Sequence, residues 1–132
     1  MATPMAQPHR RSALARLGDR LTKTVSEMEA DELMEDATKL GGTPIKELAD
    51  REVASVCGSV RAVTLPPKKS VPALVVDLYD GSKSLNLVWL GRRSIGGIQP
   101  GTFLKARGRV TFVKGIPTIF NPAYEILPSR GH

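Results

Sequence analysis

Between Val56 and Glu125 the chain breaks into short runs of β-branched and other apolar residues, with a glycine or proline at nearly every corner. That punctuation restricts the segment to short strands joined by turns. Val53–Leu65 is rich in Val, and Gly58 inside it marks a bulge or sharp bend. Pro66, Pro67 and Pro72 take the next stretch out of any central ladder. Ala73–Tyr79 and Ser84–Leu90 are the second and third strands. Asp80-Gly81 signals the hairpin between them, with Ser82-Lys83 included in the turn. Gly91–Thr102, with four glycines and Pro100, is a crossing connection. Phe103–Val113 then alternates, with Leu104, Ala106, Gly108, Val110 and Phe112 on one side and Phe103, Lys105, Arg107, Arg109 and Thr111 on the other. After a turn at Lys114–Pro117, Thr118–Phe120 opens the last strand. Asn121-Pro122 interrupts it and Ala123–Leu127 completes it.

Before the strands the pattern differs. Ser12 can cap a helix, and apolar residues recur from Leu14 to Ala37 at steps of three to five. Gly41-Gly42 and Pro44 end that pattern. The division is a disordered N-terminus over 1–11, a helical arm over 12–40, a linker over 41–51, a β domain over 52–128 and a tail over 129–132. The arm has one apolar stripe and must cover something. It lies on the β domain or pairs with a copy of itself.

Charge is unevenly spread. Residues 1–23 carry five Lys or Arg against Asp19, residues 24–50 carry two against eight carboxylates, and residues 51–132 carry twelve against four. The net values are +4, −6 and +8, within +6 for the whole chain of 132 residues. The positive field belongs to the β domain, which favours a polyanionic partner.

Three strands in a meander, a crossing loop and two more strands define a mainly β chain with a five-stranded Greek-key OB-fold barrel and an N-terminal α-helix. Its landmarks are Gly58, Asp80-Gly81 with Leu85 and Leu87, Pro100-Gly101, Gly108 with Val110, and Asn121-Pro122 with Tyr124-Glu125. On these the segment resembles OB domains of the anticodon-binding-like group, above all the wedge domain of RecG-type branch-migrating helicases. The whole chain also resembles a small stand-alone OB-fold family of actinobacteria described as nucleic-acid binding. The resemblance covers about 75 residues in the first case and implies nucleic-acid binding. The helicase motor domains lie outside this match, and no unwinding activity carries over.

Candidate contacts follow from charge and strand geometry. Lys105, Arg107 and Arg109 share one strand face at about 6.5–7 Å spacing, near the phosphate repeat of an extended single strand. They form either a phosphate track or a solvated face. Lys68 and Lys69, in the loop between strands 1 and 2, and Lys114, between strands 4 and 5, occupy the loops that flank an OB binding face. Arg61 and Asn86 belong to the same surface. Tyr79 and Phe120 are the aromatics best placed to stack bases if they point outward. Trp89 either packs inward or is displayed. Arg92-Arg93 either clamps a phosphate or pairs with the acidic arm.

Catalytic chemistry finds little support. Asp77 and Asp80 sit at a strand end facing different ways. His9 and His132 are terminal, and no phosphate-cradling loop or metal-ligand spacing occurs. Cys57 is the only cysteine, and its apolar strand setting reads as a buried structural thiol. The sequence holds no continuous apolar segment of signal or membrane-spanning length. The expectation is a cytoplasmic binding module with no enzymatic activity, metal or cofactor. It would take nucleic acid, DNA favoured over RNA, single-stranded or branched, and would not engage a membrane. The competing expectation is a protein-interaction or self-association module whose acidic helix covers the basic β surface.

Overall fold

A computed structural model describes residues 25–67 and 71–128 of the chain. Six strands form one sheet: β1 (Val53–Thr64), β2 (Ala73–Tyr79), β3 (Ser84–Leu90), β4 (Phe103–Val113), β5 (Ile116–Phe120) and β6 (Ala123–Leu127). The order is β1-β2-β3-β5-β4-β6, and β1 also pairs with β4, which closes five strands into a ring. All pairs are antiparallel except β3 with β5.

β1 closes the ring because it serves two neighbours. Val53 to Ser59 pair with β4, and Ser59 to Thr64 pair with β2. A register shift lies between Val60 and Ala62, so the bulge falls just beyond Gly58. Gly58 has another task. A Cβ there would stand 2.6 Å from the Tyr79 carbonyl oxygen, so only glycine lets β2 approach this closely.

The expected last strand is two strands. Asn121 takes a left-handed φ of +51°, a region that asparagine tolerates better than most residues. Its N–H donates to the Val88 carbonyl and its Oδ1 accepts from the Leu90 N–H. This kink swings β6 onto the first half of β4, while β5 stays on the second half.

The ring interior is filled by alternate residues of each strand, among them Val56, Val76, Leu87, Leu104, Val110 and Ile119, all at 1% exposure or less. Ile95 and Ile98 enter the same core from the β3–β4 connection. Ile45 and Leu48 enter from the segment read as a linker, where a 3-10 turn spans Ile45–Glu47. That turn is tied to the β2–β3 hairpin by Asp80, which is buried and accepts the Ile45 N–H at 2.8 Å. The other oxygen of Asp80 accepts from the Ser82 N–H, the Ser82 hydroxyl and the Lys83 N–H.

Helix α1 occupies residues 25–39 among those described; the arm's expected start at Ser12 lies outside them. It ends in a Schellman arrangement: Gly42 N–H donates to Ala37 O, Gly41 N–H to Thr38 O, and Gly41 has a φ of +86°. Leu33 and Ala37 pack outside the ring against Cys57, Phe103, Tyr79 and Leu127. Burial of side chains the size of Leu33 and Phe103 contributes about 1.5–3 kcal/mol each. The arm therefore packs on its own domain. No helix among the described residues is long and apolar enough to cross a membrane.

Candidate nucleic-acid interface

Strand alternation places Lys105, Arg107 and Arg109 on the outer face of β4, opposite Cys57, Ser55 and Val53 of β1. The three cations then part company. Lys105 is half-buried and its Nζ donates to the Leu40 carbonyl at 3.0 Å, closing the C-terminus of α1. A cation at that end of a helix is favourable. Its register partner on β6 is Glu125. Arg107 and Arg109 are exposed. The Arg107 Nη1 donates to Ser55 Oγ at 3.2 Å, and the Arg109 Nη1 to the Arg51 carbonyl at 2.6 Å. The row is thus an exposed pair of arginines next to a lysine committed to the helix. Arg51, also exposed, extends the pair.

Arg61 projects from the β1 bulge, and its guanidinium lies 3.6 Å from the Tyr79 ring centre. Tyr79 is half-buried against α1, with its hydroxyl donating to the Gly81 carbonyl. Both residues border a groove of about 790 Å³ whose other wall is α1, with Glu29, Glu32, Glu35 and Asp36 along it. The Tyr79 ring is stacked within the fold on its Arg61 side.

The outer face of β2, β3 and β5 is a different surface. Asp77, Asn86 and Thr118 stand side by side across these strands, and Val88 stands beside Phe120. Phe120 is exposed at 45%. Trp89 points the other way, into the core, at 5% exposure, with its Nε1 donating to the Pro122 carbonyl. Its ring meets Tyr124 edge-on at 5.6 Å.

Next to this face lies a groove of about 460 Å³ between the 3-10 turn and the β4–β5 hairpin. Asp77 and Asn86 line it from the sheet, Phe112 and Ile116 from the hairpin, and Lys46 and Lys83 from the rim. Lys114 sits at the hairpin tip with a φ of +52°. Asp77 Oδ1 is buried and has no hydrogen-bond partner among the described residues. Asp77 and Asp80 do face different ways: Asp80 is enclosed in the core by its four donors, and Asp77 stands on the outer face of β2, where the residue lines the groove with its Oδ1 covered.

Of the ten candidate contacts, Asn86 lines this groove, Lys114 lies at the tip of its hairpin, and Phe120 shares the outer face with Asn86. Arg107 and Arg109 share the β4 face with Lys105. Arg61 and Tyr79 form the pair against α1, while Lys68 and Lys69 lie outside the described residues. Arg92 and Arg93 are exposed in the β3–β4 connection. Sequence reasoning missed Lys46, Lys83, Phe112 and Ile116. Lys46 falls in an apparent linker, and the exposure of Phe112 breaks the alternation that assigned it inward.

Cys57 is fully buried between α1 and the ring. Burial pushes its thiol pKa up, and Lys105 opposes that in part.

No protein-family model and no curated protein sequence matches the chain.

Proposed function

We propose that the five-stranded ring is an OB-fold barrel, akin to the wedge domain of RecG-type helicases. In this reading it binds single-stranded or branched nucleic acid, DNA favoured over RNA, mainly through phosphate contacts, in the cytoplasm. The strand order, the parallel β3–β5 pair and the sharing of β1 between two neighbours support the fold reading. The observation that carries the function is the distribution of exposed cations. Arg51, Arg107 and Arg109 at the β1–β4 seam, Lys46 and Lys83 at the second groove and Lys114 at the hairpin tip are all exposed, and none of them lines the acidic groove of α1. A flexible polyanion binds such surfaces with strong salt dependence.

Fluorescence anisotropy of labelled single-stranded DNA, single-stranded RNA and a forked duplex across a salt series tests the proposal. Micromolar or tighter binding that weakens steeply with salt is expected, with the forked or single-stranded DNA ranked first. Flat curves at low salt would remove the nucleic-acid reading.

A second reading has its own observation: α1 sets carboxylates opposite Arg61 and captures Lys105 at its C-terminus. The helix then acts as an internal charge mimic or as an assembly surface. Removal of residues 1–50 is unsuitable as a test, because it strips Ile45 and Leu48 from the core. Replacing Glu29 and Glu35 with Lys is suitable, since both are exposed. A large gain in nucleic-acid affinity favours the mimic, and a changed oligomeric state favours assembly.

A further inference from the structure

Arg107 and Arg109 are exposed, yet each guanidinium is held from one side. The Arg107 Nη1 donates to Ser55 Oγ at 3.2 Å, and the Arg109 Nη1 donates to the Arg51 carbonyl at 2.6 Å. Backbone pairing fixes both acceptors. Ser55 lies inside β1, directly opposite Arg107 across the ladder, and its own carbonyl accepts from the Thr43 N–H at 2.7 Å. Arg51 has a left-handed φ of +73°, a region that residues with a Cβ rarely enter. Its N–H donates to the Val110 carbonyl at 2.7 Å, and the Val110 N–H donates back to the Glu52 carbonyl. Strained backbone of this kind persists only where its surroundings hold it. Here it presents the Arg51 carbonyl to Arg109.

We infer that Arg107 and Arg109 are a preset pair of guanidinium forks for successive phosphates of one strand, with Ser55 and the Arg51 carbonyl as their positioning groups. The inference rests on the nucleic-acid reading and adds how the backbone is gripped. Arginine carries five N–H donors in a rigid plane. A hydrogen bond at Nη1 leaves the Nε–Nη2 edge whole, and that edge matches two oxygens of a phosphate. Fixing the plane beforehand reduces the ordering cost that a long exposed side chain adds on binding. Two positions apart on a strand, the two Cα atoms stand about 6.5–7 Å from each other, near the phosphate repeat of an extended single strand. Lysine at either position would carry the same charge without the planar fork.

Lysine variants therefore separate charge from fork. Anisotropy of labelled oligo-dT should show Arg107→Lys combined with Arg109→Lys binding at least about fivefold more weakly than the native chain at the same salt concentration. The log–log salt slope should stay unchanged, because no cation is lost. Ser55→Ala should weaken binding about threefold in the native chain and leave the Arg107→Lys chain unaffected, the non-additivity expected of a positioning group. Ser55→Thr keeps the hydroxyl and should restore native affinity. Melts followed by Trp89 emission confirm that each variant keeps the fold. Paired lysines that bind as tightly as the native arginines overturn the forks and leave the nucleic-acid proposal standing. Equal loss from Ser55→Ala in both backgrounds, or none in either, overturns positioning by Ser55. Absence of binding by the native chain overturns both readings.

Discussion

The guanidinium carbon of Arg61 lies 3.6 Å from the centre of the Tyr79 ring, beside a wall of carboxylates on α1. An arginine held this way has its flat face occupied and a negative field around it. Among the described residues Arg107 and Arg109 show no such ring contact and do not line that acidic groove; each donates a hydrogen bond to β1 or its lead-in and is exposed.

These cations should therefore respond differently to mutation. Arg107→Glu combined with Arg109→Glu is expected to weaken single-stranded DNA binding at least about tenfold at low salt, and to flatten the log–log salt dependence by roughly 1.4 for two lost contacts. Arg61→Ala should change affinity less than about threefold, since little of its charge is available to a strand. Anisotropy salt series on the two variants make the comparison.

Asp80 is the polar joint of the fold. It accepts three backbone N–H groups and one hydroxyl while almost fully buried. Asp80→Ala orphans those donors and should cost about 3 kcal/mol, a fall in Tm of roughly 10–15 °C for a domain of this size. Thermal melts followed by Trp89 emission test this. An unchanged Tm would contradict the joint.

Two glycines of similar backbone conformation should behave unlike one another. Gly81 has a φ of +95°, and a Cβ there would lie 2.2 Å from the Ala30 carbonyl oxygen on α1. Gly91 has a φ of +82°, with nothing within 4 Å. Alanine at Gly91 should cost only the left-handed backbone penalty, about 1–2 kcal/mol. Alanine at Gly81 should add displacement of the helix. The rate at which Cys57 reacts with a thiol reagent separates them: clearly faster in Gly81→Ala, little changed in Gly91→Ala.

Cys57 also predicts a pH effect. Burial raises its pKa in the folded chain. The unfolded chain then loses the thiol proton at lower pH than the folded one, so the folded state binds more protons in that interval. Stability from this group is complete below the unfolded thiol value, roughly pH 8.5, and falls as pH rises above it. Urea melts at pH 7 and pH 10 should show a smaller alkaline loss for Cys57→Ala than for the native chain.

Local signals made much of the ring legible in sequence. Asp80-Gly81 and the alternation around it placed β2 and β3 at the observed bounds, and the period of two in β4 put Lys105, Arg107 and Arg109 on one face. Non-local facts were not legible. Nothing near Lys105 announces that its partner is the Leu40 carbonyl, because the contact forms only when α1 docks. Ile45 and Leu48 read as linker because a three-residue 3-10 turn is too short to show periodicity. Asp77 was weighed as one of a pair of carboxylates. That its Oδ1 is covered with no hydrogen-bond partner among the described residues is visible only from the packed neighbours of β2. Among the exposed cations near this hairpin and groove, the loop position singles out Lys114, while Lys46 and Lys83 carry no such local signal.

The double duty of β1 has a kinetic consequence. The β2–β3 hairpin needs only a four-residue turn, so it can form early and independently. The ring cannot close until Val53–Ser59 finds β4, a partner separated in the chain by the whole hairpin and the crossing connection. Closure must overcome most of the loop entropy before its contacts reward it. The domain should therefore fold more slowly than its size implies, with the β1–β4 seam as the last element to zip and the first to open.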